Sequence, residues 1–303
     1  MTNNILLVCE VNDERIDSFI SQNTELSRSR AAVLIEEGNV LVNGKEVSKK
    51  EKLKIGDEIS ISIPEAVPLE VKAEAIPLDI IYEDDDLLIV NKPKGMVVHP
   101  AAGNFNGTLV NALLYHCGDT LSGINGVMRP GILHRIDKNT SGLLMVAKND
   151  FAHNFLSEQI KEHSFTREYE AVVHGKFKVT EGTVDAPIGR HPEKRKQMAV
   201  CEKNSKNAVT HYSVIEQYEK FAHIRCRLET GRTHQIRVHM AYIGHAVAGD
   251  DIYGPKKVAA GLVGQCLHAK KIGFIHPKTL EYMEFESELP EYFKEFLRKQ
   301  AGI

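Results

Sequence analysis

The feature that most constrains the fold is a long, strand-rich region that begins near Asp79 and continues to residue 303. Its apolar segments are short and rich in β-branched residues, as buried and half-buried strands are. Helical patterns between them are too few for a doubly wound fold of alternating strands and helices. We therefore predict an α+β domain over residues 79–303 with a mixed, largely antiparallel central sheet flanked by helices. The clearest predicted strands are 87–90, 143–147, 169–173, 223–228 and 236–239.

Two segments of this region have the ends and the periodicity of helices. The first, 108–116, begins at Thr108, whose hydroxyl is suited to capping the first turn. The second, 150–163, begins beside Asn149. Its apolar face would consist of Phe151, Phe155 and Ile160.

A separate small unit is predicted over residues 13–63. Apolar residues recur at helical spacing from Ile16, and again after Ser27, a residue type favoured at helix N-caps. Gly38 is suited to end the second helix, and Asn43-Gly44 favours a two-residue hairpin turn. The pattern indicates two helices followed by a small β-hairpin sheet. Residues 64–78, which combine prolines with glutamates, are predicted to be a linker.

Composition bears on compartment and on metal sites. There is no run of about 18 apolar residues that would span a bilayer, and no basic segment followed by an apolar stretch at the N-terminus. We therefore expect a cytoplasmic protein. The five cysteines contain no close pair, which excludes a Cys-x-x-Cys zinc site and disfavours a disulfide framework. His234 and His239 are five residues apart and do not share one helical face, so we expect no metal site.

Charge is distributed unevenly along the chain. The net charge is −3, yet residues 134–240 hold 18 Lys+Arg against 13 Asp+Glu, a local +5 that leaves −8 elsewhere. A local basic excess suits nucleic-acid binding, although a merely solvated basic face would give the same count.

The most specific segment is 134–144, HRIDKNTSGLL. It resembles the signature of RluA/RluD-type RNA pseudouridine synthases, His-Arg-Leu-Asp followed by Thr-Ser-Gly-Leu, with Ile136 in place of leucine. Four ordered blocks are much less subject to chance than one short motif. The other blocks, in the family's order, are 91–100 (NKPKGMVVHP), 167–171 (REYEA) and 231–239 (GRTHQIRVH), followed by Gly249-Asp250.

The N-terminal unit resembles the S4 RNA-binding domain in the order of its segments 13–17 (DERID), 27–30 (SRSR) and 40–44 (VLVNG). The resemblance implies that Arg28, Arg30 and Lys45 contact the RNA backbone. Residues 13–72 carry 9 Lys+Arg against 12 Asp+Glu, so lysines that are simply solvated at strand edges remain an alternative.

The resemblance also implies the chemistry and the residues that perform it. Pseudouridine formation breaks the N1–C1′ bond, turns the uracil and rejoins it through C5, without a cofactor. Asp137 matches the carboxylate that acts at the sugar, either by attacking C1′ or by removing a 2′ proton. Arg237 matches its arginine partner, and Tyr169 matches a tyrosine that stacks on the base and helps to deprotonate C5. Arg135 matches an arginine that holds the target nucleotide out of its helix.

Two other functions fit part of the pattern. A catalytically silent RNA-binding ribosome-assembly factor would be indicated by loss of the carboxylate, the tyrosine or the arginine, and all three are present. A nucleosidase would gain little from an S4-like anchor. S4-bearing members of the family typically modify large-subunit (23S) ribosomal RNA, which is therefore the expected substrate, with tRNA as the alternative. We expect a monomer that binds RNA, with no membrane association, metal or small-molecule cofactor.

Overall fold

The computed structural model describes residues 3–24, 26–63, 71–101, 103–124, 129–194, 197–255 and 261–303. These residues fall into two compact units, one before residue 70 and one from residue 70 onward. Each unit has its own hydrophobic core. No helix in the described part of the chain is both long and apolar enough to cross a membrane.

The first unit packs two helices against a four-stranded antiparallel sheet with the order β1-β4-β2-β3. The side chain of Ser27 accepts a hydrogen bond from the amide of Arg30 and so caps α2. Asn43 and Gly44 both have positive φ angles, as the central residues of a type I′ hairpin turn do. The predicted helices and hairpin are confirmed, and β1 is an additional strand. The elements are β1 (Asn3–Val8), α1 (Ile16–Asn23), α2 (Arg28–Glu36), β2 (Val40–Val42), β3 (Lys45–Glu46) and β4 (Glu58–Ile63).

The second unit contains most of the strands. Its elements are β5 (Ile80–Glu83), β6 (Leu87–Lys92), α3 (Leu109–Cys117), a 3₁₀ helix (Gly118–Thr120), β7 (Ser141–Ala147), α4 (Asp150–Lys161), β8 (Thr166–His174), β9 (Glu181–Asp185), β10 (Ile188–Arg190), β11 (Met198–Val200), β12 (Ser205–Lys206), β13 (Val209–Gln217), β14 (Phe221–Leu228), α5 (Gln235–Tyr242), β15 (Leu267–Ile275), β16 (Tyr282–Glu286) and α6 (Glu291–Ala301). The strands β11-β10-β12 form a small sheet of their own.

A nine-stranded sheet with the order β5-β6-β7-β15-β8-β14-β13-β9 forms the centre of this unit, and β16 pairs with β15 beside that path. The pair β7 and β15 is parallel, and the other pairs in the described sheet are antiparallel. Helices cover both faces: Leu88 of β6 shares a core with Leu113 of α3, and its neighbour Leu87 shares another with Leu156 of α4. The predicted fold class is confirmed.

Part of the predicted linker packs with the second unit. The amide of Glu74 donates to the carbonyl of Asn111, whose side chain donates to the carbonyl of Lys72 at 2.8 Å. Val71 and Leu78 pack against the core of that unit. Residues 64–70 of the predicted linker lie outside the described residues, and the domain boundaries 13–63, 64–78 and 79–303 stay a prediction.

Two local predictions are wrong. Residues 236–239, predicted as a strand, lie in helix α5. Alternating Ile236 and Val238 resemble a strand, but the start of the helix is set by long-range contacts that the local pattern does not contain. In α4, Phe151 is 61% exposed, and the helix instead buries Ala152 and Leu156, which are four residues apart.

Candidate active site

Asp137 lies in a loop that leads directly into the centre of the sheet. His134, at the start of this loop, accepts a hydrogen bond from the amide of Met145 at 3.1 Å. At the other end, Gly142 has a φ of 112°, and a Cβ there would overlap the backbone of Ala269 in β15. The glycine is therefore needed for β7 and β15 to approach each other. Before this glycine, Thr140 accepts a hydrogen bond from the side chain of Gln265, and the hydroxyl of Ser141 is hydrogen-bonded to His268 and Tyr292.

A buried lysine ties this loop to the segment after β6. Lys92 is 1% exposed, and its Nζ atom donates to the carbonyls of Pro93, Met96 and Lys138 at 2.8, 2.8 and 3.2 Å. Burial lowers the pKa of Lys92 to about 7, while the negative charge of Asp137 acts in the opposite direction. These hydrogen bonds connect the block 91–100 to the residue that follows Asp137.

The carboxylate of Asp137 is bound by Arg237, whose guanidinium also forms hydrogen bonds to a second carboxylate, Asp250. Nη1 of Arg237 donates to Oδ2 of Asp137 at 2.8 Å, while its Nε and Nη2 donate to Asp250 at 2.6 and 3.0 Å. Burial acts to raise the pKa of Asp250, but hydrogen bonds from Arg237 and from the amides of Tyr253 and Ile252 outweigh it and hold that pKa below its usual value. Asp250 therefore fixes the direction in which Arg237 points.

His234 lies on the other oxygen of the same carboxylate. Its Nε2 atom is 3.8 Å from Oδ1 of Asp137, and its Nδ1 atom is hydrogen-bonded to the hydroxyl of Tyr253 at 2.8 Å. That hydroxyl also accepts a hydrogen bond from the amide of Met198 in β11. His234 has a φ of 58°, a left-handed conformation that is uncommon outside glycine. Such strained residues are concentrated at functional sites.

The three residues predicted to be catalytic line one cavity of about 470 Å³. Asp137 enters it from the loop before β7, Tyr169 from β8 and Arg237 from α5. Tyr169 is buried, and this burial raises the pKa of its phenol, a shift that Arg167 opposes and Asp137 reinforces. The arrangement places a carboxylate, an aromatic ring and a fixed cation around one space.

Further cationic groups surround this cavity. Arg135 is exposed at its edge, and Arg167 and Arg232 also line it. The Nε atom of Arg167 is buried without a hydrogen-bond partner, and the absence of a side chain at Gly231 leaves room for its guanidinium. The motif comparison assigned no role to Arg167, His234, Asp250 or Lys92, although all four lie in its blocks. In the sequence, only their position inside these blocks indicated that these four residues belong to the site.

The other residues predicted to bind RNA lie in the first unit. Arg28 is paired with Asp17 through its Nε atom at 3.1 Å, and Arg15 binds the same carboxylate at 2.9 Å. Arg30 and Lys45 are exposed, and neither forms an ion pair with another described residue. Two other lysines of this unit, Lys49 and Lys52, are paired with Glu36 and Asp13.

Among the described residues, two clusters of side chains have ligand atoms close enough for a metal ion, Glu83–His116–Cys117 and Asp84–Asp86–His276. In the second, Nδ1 of His276 accepts hydrogen bonds from the amides of Lys278 and Thr279, and Nε2 lies 2.7 Å from Asp84. Both ring nitrogens are therefore engaged in hydrogen bonds. In the turn between β5 and β6, the amide of Asp86 donates to the side chain of Asp84, and Asp86 is buried.

The sequence matches known families in both units. Residues 86–242 match the family described as RNA pseudouridylate synthase, and residues 14–59 match the S4 domain. The chain belongs to the RNA pseudouridine synthase family, whose members are isomerases, and its binding partner is RNA.

Relatives match over nearly their whole length. A Bacillus subtilis (strain 168) protein described as an uncharacterized RNA pseudouridine synthase is 54% identical over 95% of this chain and 94% of its own. Ribosomal large subunit pseudouridine synthase D of Zymomonas mobilis is 47% identical over 96% of this chain and 95% of its own. A solved human structure, RNA Pseudouridylate Synthase Domain Containing 1, shares the fold with a TM-score of 0.57 and 23% identity, covering 79% of this chain and 98% of that one. The predicted family and enzyme class are confirmed.

Proposed function

We propose that this enzyme converts specific uridines of large-subunit (23S) ribosomal RNA to pseudouridine, acting as a monomer in the cytoplasm. The proposal is supported by similarity to proteins named ribosomal large subunit pseudouridine synthase D, at 42–47% identity. The S4 domain supports it further, because a separate RNA-binding unit suits a large, structured RNA substrate. A tRNA is the alternative substrate.

The observation that carries the proposed mechanism is the 2.8 Å contact between Arg237 and Asp137 in the cavity that Tyr169 also lines. Asp137 is the catalytic carboxylate. Positive charge develops on the ribose as the N1–C1′ bond weakens, and an ionised carboxylate beside it stabilises that charge. Arg237 fixes the orientation of this carboxylate, because Asp250 holds the guanidinium on its far side.

Tyr169 acts on the base. Its ring is placed to stack on the extruded uracil while the base turns to present C5 to C1′. When the C5–C1′ bond has formed, the proton on C5 leaves and N1 gains one, so the reaction is balanced without a cofactor. Because burial raises the pKa of Tyr169, its phenol is protonated at neutral pH before RNA binds. A protonated phenol can stack on the base but cannot accept the C5 proton, which favours the stacking role.

RNA binding is divided between the two units. Arg135, exposed at the mouth of the cavity, is proposed to occupy the space that the extruded nucleotide leaves in its helix. Arg30 and Lys45 are proposed to contact phosphates, and Arg28 is proposed to do so while its Nε atom remains on Asp17.

The test is to map pseudouridines in total RNA from a strain that lacks the gene. We expect sites in 23S ribosomal RNA to disappear, to return with the wild-type gene and not to return with Asp137→Asn. If pseudouridines disappear from tRNA alone, the substrate is tRNA and not 23S ribosomal RNA. Recovery of the sites by Asp137→Asn would remove the role given to this carboxylate.

A further inference from the structure

Asp137, His234 and Arg237 line two cavities rather than one. The first is the cavity that Tyr169 lines. The second, of about 290 Å³, lies within the same unit and contains residues from the blocks 91–100 and 134–144 that have no role in the proposed chemistry. Arg135 and Ile136 also line both cavities, so the two spaces meet along the loop that carries the carboxylate.

Both apolar and polar side chains line the second cavity. Val97, Val98 and Ile136 supply apolar surface. His99 is 9% exposed, and its Nδ1 atom is buried without a hydrogen-bond partner. A buried polar atom without a partner is rare in native proteins and needs a physical explanation.

His99 is in the form that suits a neutral ligand. Burial and the charges of Arg135 and Arg129 lower its pKa to about 4, so the imidazole is uncharged at neutral pH. An uncharged imidazole has one N–H donor and one acceptor. Those groups suit the edge of a base or a ribose hydroxyl. Arg135 and Lys138 are exposed cations of the same cavity, and Asp251 is an exposed carboxylate at its rim.

We propose that this second cavity binds the nucleotide next to the target uridine. Extrusion of the target removes one stacking neighbour from that nucleotide, which then gains from new contacts. A single phosphodiester connects this neighbouring nucleotide to the target uridine at Asp137. The neighbour therefore stays close to Asp137, which also lines the second cavity. The apolar residues would cover the face of its base, His99 would bond to its edge, and Lys138 would neutralise the connecting phosphate. The inference rests on the proposed position of the target uridine at Asp137, but on no particular RNA.

The test uses the full-length protein and a short RNA that the wild-type enzyme converts. In separate RNAs, the base on the 5′ or the 3′ side of the target is removed to leave an abasic ribose. We expect one of these changes to lower kcat/KM of the wild type about tenfold, the effect of about one hydrogen bond with its packing. On the intact RNA, kcat/KM of His99→Ala should be lower than that of the wild type by about the same factor. On the abasic RNA that slows the wild type, kcat/KM of His99→Ala should not fall further.

Controls separate the possible failures. His116→Ala, an exposed histidine of α3 outside both cavities, should respond to the abasic changes as the wild type does. If His99→Ala does not fold, 4-thiouridine placed on each side of the target should crosslink the wild-type protein, from one side, within residues 97–101. Equal losses from each abasic change in the wild type and His99→Ala, or crosslinks from both sides that map elsewhere, would overturn the proposal. The proposed substrate is tested separately. If 23S ribosomal RNA is not the substrate, the wild-type enzyme does not convert a transcript of it, whatever the outcome with His99→Ala on an RNA that the enzyme does convert.

Discussion

Nη1 of Arg237 lies 2.8 Å from Oδ2 of Asp137, although the two residues are 100 positions apart in the chain. The carboxylate sits on a loop before a central strand, and the arginine sits in the helix after β14. Because the other side of the guanidinium is bound by the buried Asp250, the cation is already oriented before RNA arrives. The geometry makes Asp137 and Asp250 unequal partners of one arginine, so replacing each of them should have a different consequence.

Asp137→Asn should abolish isomerisation and preserve RNA binding. The amide keeps the size of the side chain but cannot stabilise positive charge on the ribose, so conversion should fall by on the order of 10²–10³-fold or more. Arg237 keeps Asp250, so stability should fall by no more than about 1–2 kcal/mol. The measurements are tritium release or mapping on a transcript, RNA binding, and denaturant unfolding. Glu219→Gln, an exposed residue, is the control, and full conversion by the Asn variant would refute the assignment.

Asp250→Asn should be the more destabilising change. It leaves a buried guanidinium without its bidentate partner, which costs about 3–5 kcal/mol when such a pair is broken. The pKa of Asp250 is lowered in the folded state, so its contribution to stability is present above the unfolded value near 3.8 and is lost as the pH falls through the folded value. Unfolding free energies measured between about pH 6 and pH 3 should therefore decline less in the variant. Identical pH profiles would contradict this role.

His234→Gly should be more stable than His234→Ala. With a φ of 58°, an alanine at this position carries left-handed strain of about 1–2 kcal/mol that glycine avoids. Both variants lose the ring that faces Asp137, so both should convert RNA more slowly than the wild type. Thermal unfolding measures the first effect and initial rates the second. Tyr253→Phe removes a hydrogen bond to the ring and should lower the rate without this backbone effect; an alanine variant as stable as the glycine variant would argue against strain.

Gly142→Ala should prevent β7 and β15 from reaching their observed spacing. The added methyl group would overlap the backbone of Ala269, so we expect a loss of more than about 3 kcal/mol or failure to fold. Gly244→Ala is the matched control, because its φ of 86° is also positive but nothing lies within 4 Å of the added carbon. The control should lose about 1 kcal/mol from backbone strain alone. Similar unfolding midpoints for the two variants would show that close strand approach is not what requires Gly142.

Removing residues 1–69 should leave a folded catalytic unit with weaker RNA binding. The cut is placed before Val71 because Glu74 and the carbonyl of Lys72 bond to residues 107–111.

In the full chain, Arg30→Gln with Lys45→Gln should reduce the slope of log affinity against log salt by roughly 0.7–0.9 for each phosphate that is no longer neutralised. Lys220→Gln with Lys299→Gln, at two exposed positions of the second unit, also removes two charges and is the charge-matched control. An unchanged slope in the double variant would mean that these two cations do not face RNA.

The sequence by itself determined the features that depend on neighbouring residues. Ser27 and Thr108 cap the helices that begin beside them, and Asn43-Gly44 forms the predicted hairpin turn, because caps and tight turns are local hydrogen-bonding and φ requirements. The ordered blocks identified the family and placed Asp137, Tyr169 and Arg237 among its residues. These inferences did not require knowledge of contacts between distant segments.

Tertiary structure alone decided which distant groups meet. Helix α5 begins where it does because the side chain of Gln235 bonds to Val209, Thr210, Thr230 and Arg232, contacts that an alternating local pattern cannot reveal. The same applies to the Asp250–Arg237–Asp137 chain, which depends on three separate segments packing together. Local propensity differs by about 1 kcal/mol or less per residue, so several buried hydrogen bonds can override it. That is why a segment with the alternating pattern of a strand forms the helix that carries the arginine.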